Sequence, residues 1–353
     1  MKTKLLFPAV FAFLIFNFSF TTFGQGALTP PGAPAPTMRT LDEIFQKAGT
    51  SESRVDVLTL SSNATALHVI TQPGSYYLSS NLVGVAGQNG IAISASDVTL
   101  DLNGFTLFGA TNQTAILITI AALRDISVRA GRISGWGYGV ISIGSPLNVV
   151  TSDLQITLVG GGFGYGISAG AGLRASRCLI QNQNPAGGFG INCGNNSVIE
   201  SCQLLRTGGG VLCGTNSVVR GCQVLDSTNS FGIVSLGGSF IADNIIKGCG
   251  GGINTGSGGP IIVLQNLVQG CVNNDAIYLA SSGGRVENNQ IIGNAGYGVT
   301  SGINTSNNLV IRNVASNNSF GNYDNSNPKL LLGPLVTTSG VITNSNPWAN
   351  FSF

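Results

Sequence analysis

Charge is scarce in this sequence. Only 16 Lys+Arg and 14 Asp+Glu occur in 353 residues, or 8%, where an ordinary globular domain carries roughly 25%. A net charge of +2 without a basic cluster leaves no electrostatic footprint for nucleic acid. A single histidine, His68, excludes any mechanism or metal centre that needs two. The seven cysteines contain no Cys-x-x-Cys pair, which argues against zinc. Beyond Asp42-Glu43 no two acids are adjacent. After the first two dozen residues no stretch is long and apolar enough to span a bilayer.

Glycine and apolar residues fill the space. There are 51 glycines, and 43% of the chain is hydrophobic, enough for a large core and too much for general disorder. Lys2 and Lys4 precede an apolar run at 5–16 and a softer stretch at 17–23. That order is expected of a signal peptide over 1–24, cut before Gln25. It would send the chain to the periplasm, the cell surface or the medium. No cysteine near the cut offers a lipid anchor. Residues 25–39 read as a proline-rich linker. Thr40-Leu41-Asp42-Glu43 has the form of a capping box, and Leu41, Ile44, Phe45 and Ala48 share one helical face. A short helix is expected there, its apolar face turned onto a β region, with 40–89 forming a cap and the first strands.

The β region is repetitive. A small residue followed by a β-branched one recurs at Gly90-Ile91, Ala115-Ile116, Gly139-Val140, Gly166-Ile167 and Gly190-Ile191. The pattern continues at Gly210-Val211, Gly232-Ile233, Gly252-Ile253, Ala276-Ile277 and Gly298-Val299, at intervals of 20 to 27 residues. A second frame holds Cys178, Cys202, Cys222, Asn244, Asn266, Asn289 and Asn313 at one position. Five residues further on stand Cys249, Cys271, Asn294 and Asn318. Likeness at equivalent positions of short repeats means that the repeats stack. The drifting interval is unlike a left-handed hexapeptide helix, and it is half of what a propeller blade needs. A right-handed parallel β-helix of about ten coils over 90–324 is the fold class expected, with 325–353 folding back as a tail that buries Trp348 or Phe351.

The stretch Ile70-Thr71-Gln72-Pro73-Gly74-Ser75-Tyr76-Tyr77-Leu78 and the stretch Val98-Thr99-Leu100-Asp101-Leu102-Asn103-Gly104-Phe105 resemble the opening of bacterial right-handed β-helix repeat proteins of the pectate-lyase-like superfamily. The closing Asn346-Pro347-Trp348-Ala349-Asn350-Phe351 is similar to the tail of secreted members. The resemblance implies the fold. It leaves activity open, because the superfamily includes lyases, hydrolases, epimerases and adhesins. The Asp-Asp and Gly-His-Gly motifs of its polygalacturonase-like glycosidases are missing here.

Two sets of residues are candidates for chemistry. Asp101, Asp125 and Asp153, with Arg124 and Arg129, are the acids and bases a lyase would use. Asp97, Asp125 and Asp153 recur at intervals of 28 and could stack as a file for Ca²⁺, or could each simply begin a strand. Trp136, Tyr138, Phe163, Tyr165 and Phe189 gather beside the small-residue frame, either as a stripe on which a sugar chain stacks or as a closed core corner. Cys193 and Cys213, like Cys178, Cys202 and Cys222, should stack, as disulfides or as buried thiols. No other cofactor is implied. The expected function is a non-catalytic rod that binds a polysaccharide or cell-surface glycan; the alternative is a lyase-like enzyme acting on an acidic polysaccharide.

Overall fold

The computed structural model describes residues 53–353 apart from 110, 111, 121, 160–163, 185, 186, 338 and 339, together with Thr40, Leu41 and Glu43. The signal peptide, the linker and most of the expected helix lie outside the described residues. The capping box is formed: Glu43 N–H donates to Thr40 Oγ1 and Thr40 N–H to Glu43 Oε2, each at 3.1 Å.

From Val55 onward the chain winds as a coil with three faces, its strands pairing in parallel from one turn to the next. The third face is a sheet of twelve strands, from Ala66–Ile70 to Gly321–Tyr323. Twelve coils are therefore present where the small-residue frame suggested ten. His68 lies in the first of them, opposite Ile91, and its Nδ1 is 3.0 Å from the Leu60 carbonyl. The first face runs from Val55–Asp56 and Gly74–Tyr77 to Leu309–Ile311 and Leu331–Leu332, and the second from Leu82–Val83 and Thr106–Phe108 to Val314–Ser316, where the tail strand Asn350–Ser352 pairs between it and Leu335–Val336. In two coils the first- and second-face strands are continuous, as Arg124–Trp136 and Leu147–Leu158. Among the described residues no helix is long and apolar enough to cross a membrane.

Alternation along each short strand sends β-branched side chains into the core. Ile91, Ile116, Ile167, Ile191 and Val211 are 0% exposed. The small residue before each has a steric cause. A Cβ at Gly232 would lie 2.5 Å from Ile246 Cγ2, and one at Gly252 would lie 2.5 Å from Val268 Cγ1. Gly166, Gly190, Gly210, Gly232 and Gly252 thus make room for an aliphatic side chain of the second face.

The corners need left-handed backbone. Asp243, Gln265, Asn288 and Arg312 have φ of 59, 55, 56 and 58°, and each directly precedes an inward Asn at the bend between the first and second faces. Asn, Asp and Gly enter this region most readily, which explains their abundance. The turned-in side chains form the expected ladder. Asn244 N–H and Nδ2 donate to Asn266 Oδ1 at 3.0 and 2.9 Å, and Asn266 donates likewise to Asn289 at 2.9 and 3.0 Å. Asn289 passes to Asn313, and Asn313 to Asn350, which is 0% exposed. The tail thus buries an asparagine that ends the ladder. Trp348 stays 47% exposed, and Phe351 is half-buried. In earlier coils cysteines hold the same place. All seven are buried free thiols, and burial pushes Cys213 and Cys249 up to about 11.

Candidate functional site

The acids expected to converge are distributed over different corners. Asp101 ends a first-face strand, and register places it beside Arg129 of the next coil. Arg129 Nε and Nη2 lie 3.2 and 3.1 Å from Asp101 Oδ2, while Arg54 Nη1 lies at 3.5 Å from the same oxygen and its guanidinium over the Tyr77 ring at 4.8 Å. Asp125 sits at the bend entering the first face, with φ 56°, and its Oδ1 accepts from Asn148 Nδ2 at 3.0 Å. Arg124 Nε is 3.9 Å from its other oxygen. Asp153 lies at the bend leaving that face, also with φ 56°, and is held by Arg177 Nε and Nη2 at 2.7 and 2.8 Å. That bidentate contact lowers its pKa.

Asp97, Asp125 and Asp153 therefore do not form one file. The coil that follows Asp125 brings Asn148, 23 residues on, into its column. Coil length changes at the corners, so an equal sequence interval does not preserve the column. All three have positive φ, as begins a strand through a left-handed bend. Among the described residues no three or more His, Cys, Asp or Glu side chains are grouped as metal ligands.

The aromatic stripe is realised in part. Tyr138, Tyr165 and Phe189 follow one another in adjacent coils at the start of third-face strands, each half-buried. Trp136 leaves the stripe. It is 0% exposed, its Nε1 donates to the Leu107 carbonyl at 2.9 Å, and its ring occupies the space opposite Gly90. A buried indole cannot stack on an external sugar. Phe163 lies outside the described residues.

A second constellation escaped the sequence reading. Arg285 and Glu287 stand two apart on one first-face strand, so both point outward. Arg285 Nε is 2.6 Å from Glu287 Oε2, and Arg312 Nη1 is 2.9 Å from Oε1. Arg312 also donates from Nε to the Pro347 carbonyl at 2.7 Å, with its guanidinium 4.6 Å over the Trp348 ring. Arg285, followed by Arg312, holds the Glu287 carboxyl below its usual range, and its side chain is only 9% exposed. Beside this network a groove of about 400 Å³ is lined by Arg285, Leu309, Ile311, Leu331, Leu332, Gly333 and Trp348. Arg285-x-Glu287 with alternating period was the readable signal; its juxtaposition with Trp348 depends on the tail's return.

Residues 114–268 match the family model described as right handed beta helix region. No curated protein matches the chain. Among solved structures, the A-module of a mannuronan C-5 epimerase from Azotobacter vinelandii is 12% identical, covering 84% of this chain and 98% of that one with a TM-score of 0.38. An alginate lyase is 12% identical over 81% and 64% at 0.33, and an endo-xylogalacturonan hydrolase from Aspergillus tubingensis is 12% identical over 80% and 90% at 0.27. Likeness at this level transfers none of their chemistry. The matched region and the unbroken coil on both sides of it make this chain a right-handed parallel β-helix protein.

Proposed function

We propose that the protein is an exported, non-catalytic β-helix that binds polysaccharide along its surface. The observation that carries this reading is the column Tyr138, Tyr165 and Phe189, half-buried rings presented by adjacent coils at one edge of the third face. Rings carried by successive coils, whose backbones are about 4.8 Å apart, offer a linear apolar track to a linear polymer. The disposition of the acids supports it from the other side. Asp101 and Asp153 are each engaged by arginine, and Asp125 by Asn148, so none of these three carboxylates stands free for acid–base work on a sugar.

Affinity electrophoresis of the whole protein through gels containing acidic or neutral polysaccharides tests the proposal. Retardation in at least one gel is expected, and it should be lost in the Tyr138→Ala/Tyr165→Ala variant with no change in melting temperature. Release of unsaturated uronides from the same polysaccharides would instead establish the lyase-like alternative.

A further inference from the structure

We infer that the groove at the C-terminal end of the first face is a subsite for an acidic sugar, with Trp348 as its stacking platform and Arg285 as the ligand for the carboxylate. The inference rests on the polysaccharide-binding reading and adds a place and a charge class to it. The groove has a floor of Leu309, Ile311 and Leu331 and a volume of about 400 Å³, within the span of about 300–1,000 Å³ usual for small-molecule sites. A pyranose bearing a carboxylate has the matching chemistry: an apolar ring face for indole and aliphatic surface, and a planar anion for a guanidinium fork.

Charge selects the anionic sugar over a neutral one. Arg285 and Arg312 face the single carboxylate of Glu287, so the cluster retains one positive charge. Among the described residues Arg285 spends only Nε on its hydrogen bond to Glu287, which leaves both Nη groups for a ligand at the groove wall. Arg312 is a positioning residue. Its left-handed backbone, φ 58°, turns it out at the corner, where it ties Glu287 to Pro347 and stacks on Trp348. That fixes the indole in the 47% exposed position that a stacking platform needs.

The chain reports on this site by itself. It has two tryptophans, of which Trp136 is 0% exposed and Trp348 is 47% exposed, so acrylamide quenching reads Trp348. Trigalacturonate should shield Trp348 from acrylamide, cellotriose should not, and the shielding should weaken as salt is raised. Arg285→Gln should weaken binding tenfold or more. Leu331→Glu, at a position 52% exposed, should do the same by repulsion while the melting curve stays unchanged. Equal shielding by cellotriose, or undiminished shielding in both variants, overturns the inference. Retardation by polysaccharide without any shielding by trigalacturonate would place binding elsewhere and leave the broader reading standing. Loss of both would remove the two together. Shielding that rises with protein concentration without sugar would assign the groove to a second copy of the chain.

Discussion

Replacing Asn289 by Ala tests what holds the coils in register. Its Oδ1 accepts from Asn266 N–H and Nδ2 at 2.9 and 3.0 Å, and its Nδ2 donates to Val263 O, Glu287 O and Asn313 Oδ1 at 3.0, 3.0 and 2.9 Å. One amide has only two protons, so the three donated bonds share them. The Glu287 carbonyl also keeps its bond from Gln265 N–H. The serious loss is at Asn266, whose buried backbone N–H would have no acceptor. With about 1 kcal/mol net per neutral bond and about 1–3 kcal/mol for a stranded buried donor, the cost is about 3–5 kcal/mol. Cysteine is the informative control, because Cys178, Cys202 and Cys222 occupy the same column upstream. There the Cys202 thiol donates to the Ala175 and Glu200 carbonyls and the Cys222 thiol to the Ile199 and Arg220 carbonyls, the counterparts of two of the bonds that Asn289 makes through Nδ2. Asn289→Cys should therefore cost about half as much as Asn289→Ala, on the same scale. Chemical denaturation gives the totals. Because stacked repeats can open in pieces, hydrogen exchange at the Asn266 amide gives the local effect. Equal costs for Ala and Cys, a loss below about 1 kcal/mol, or an unchanged exchange rate would refute this account of the ladder.

Two further outcomes follow from the packing and the charge network. Gly232→Ala should destabilise by about 1–3 kcal/mol through overpacking on Ile246 and cost far less in an Ile246→Ala background; additive costs in a double-mutant cycle would show that Ile246 is not the reason for the glycine. Arg285 lowers the folded pKa of Glu287, so its stabilising contribution is complete above the unfolded value of about 4.3 and is lost as pH falls through the lower folded one. Melting temperature measured from pH 5 downward should fall less steeply in Glu287→Gln than in the parent, and parallel curves would mean that the pair does not stabilise the fold.

The fold was legible because its determinants are local and repeated. Gly90 to Gly298 mark the contact between the third and second faces once per coil, and the ladder from Asn244 to Asn313 marks one corner. Both survive changes of corner length because each is counted from its own strand. The two extra coils carry neither signal cleanly. Ala66–Ile70 has Leu67-His68 where later coils have a small and a β-branched residue, and in Gly321–Tyr323 the same places, opposite Gly298 and Val299, are held by Asn322 and Tyr323. Asp125 and Asp153 misled for the opposite reason. Their spacing of 28 was counted across a corner, where the chain had changed its length.

The candidate sites were less legible because a side chain's exposure is a property of the whole cross-section. Trp136 stands two residues from Tyr138 in sequence, yet the strand Arg124–Trp136 ends by turning its indole into the space left by Gly90, while Tyr138 opens the next strand on the outside. Trp136 and Tyr138 therefore belong to different surfaces, and no pattern confined to that segment separates them. The Arg285, Glu287, Arg312 and Trp348 cluster depends on a contact of still longer range. It requires the tail to return as the strand Asn350–Ser352, which pairs with Val314 and Ala315. That return is made by Asn350, which supplies the acceptor the ladder would lack at Asn313. The buried amide that terminates the stack is thus also what delivers Trp348 to the edge of the groove, so in this chain the closure of the rod and the construction of its candidate binding site are the same structural event.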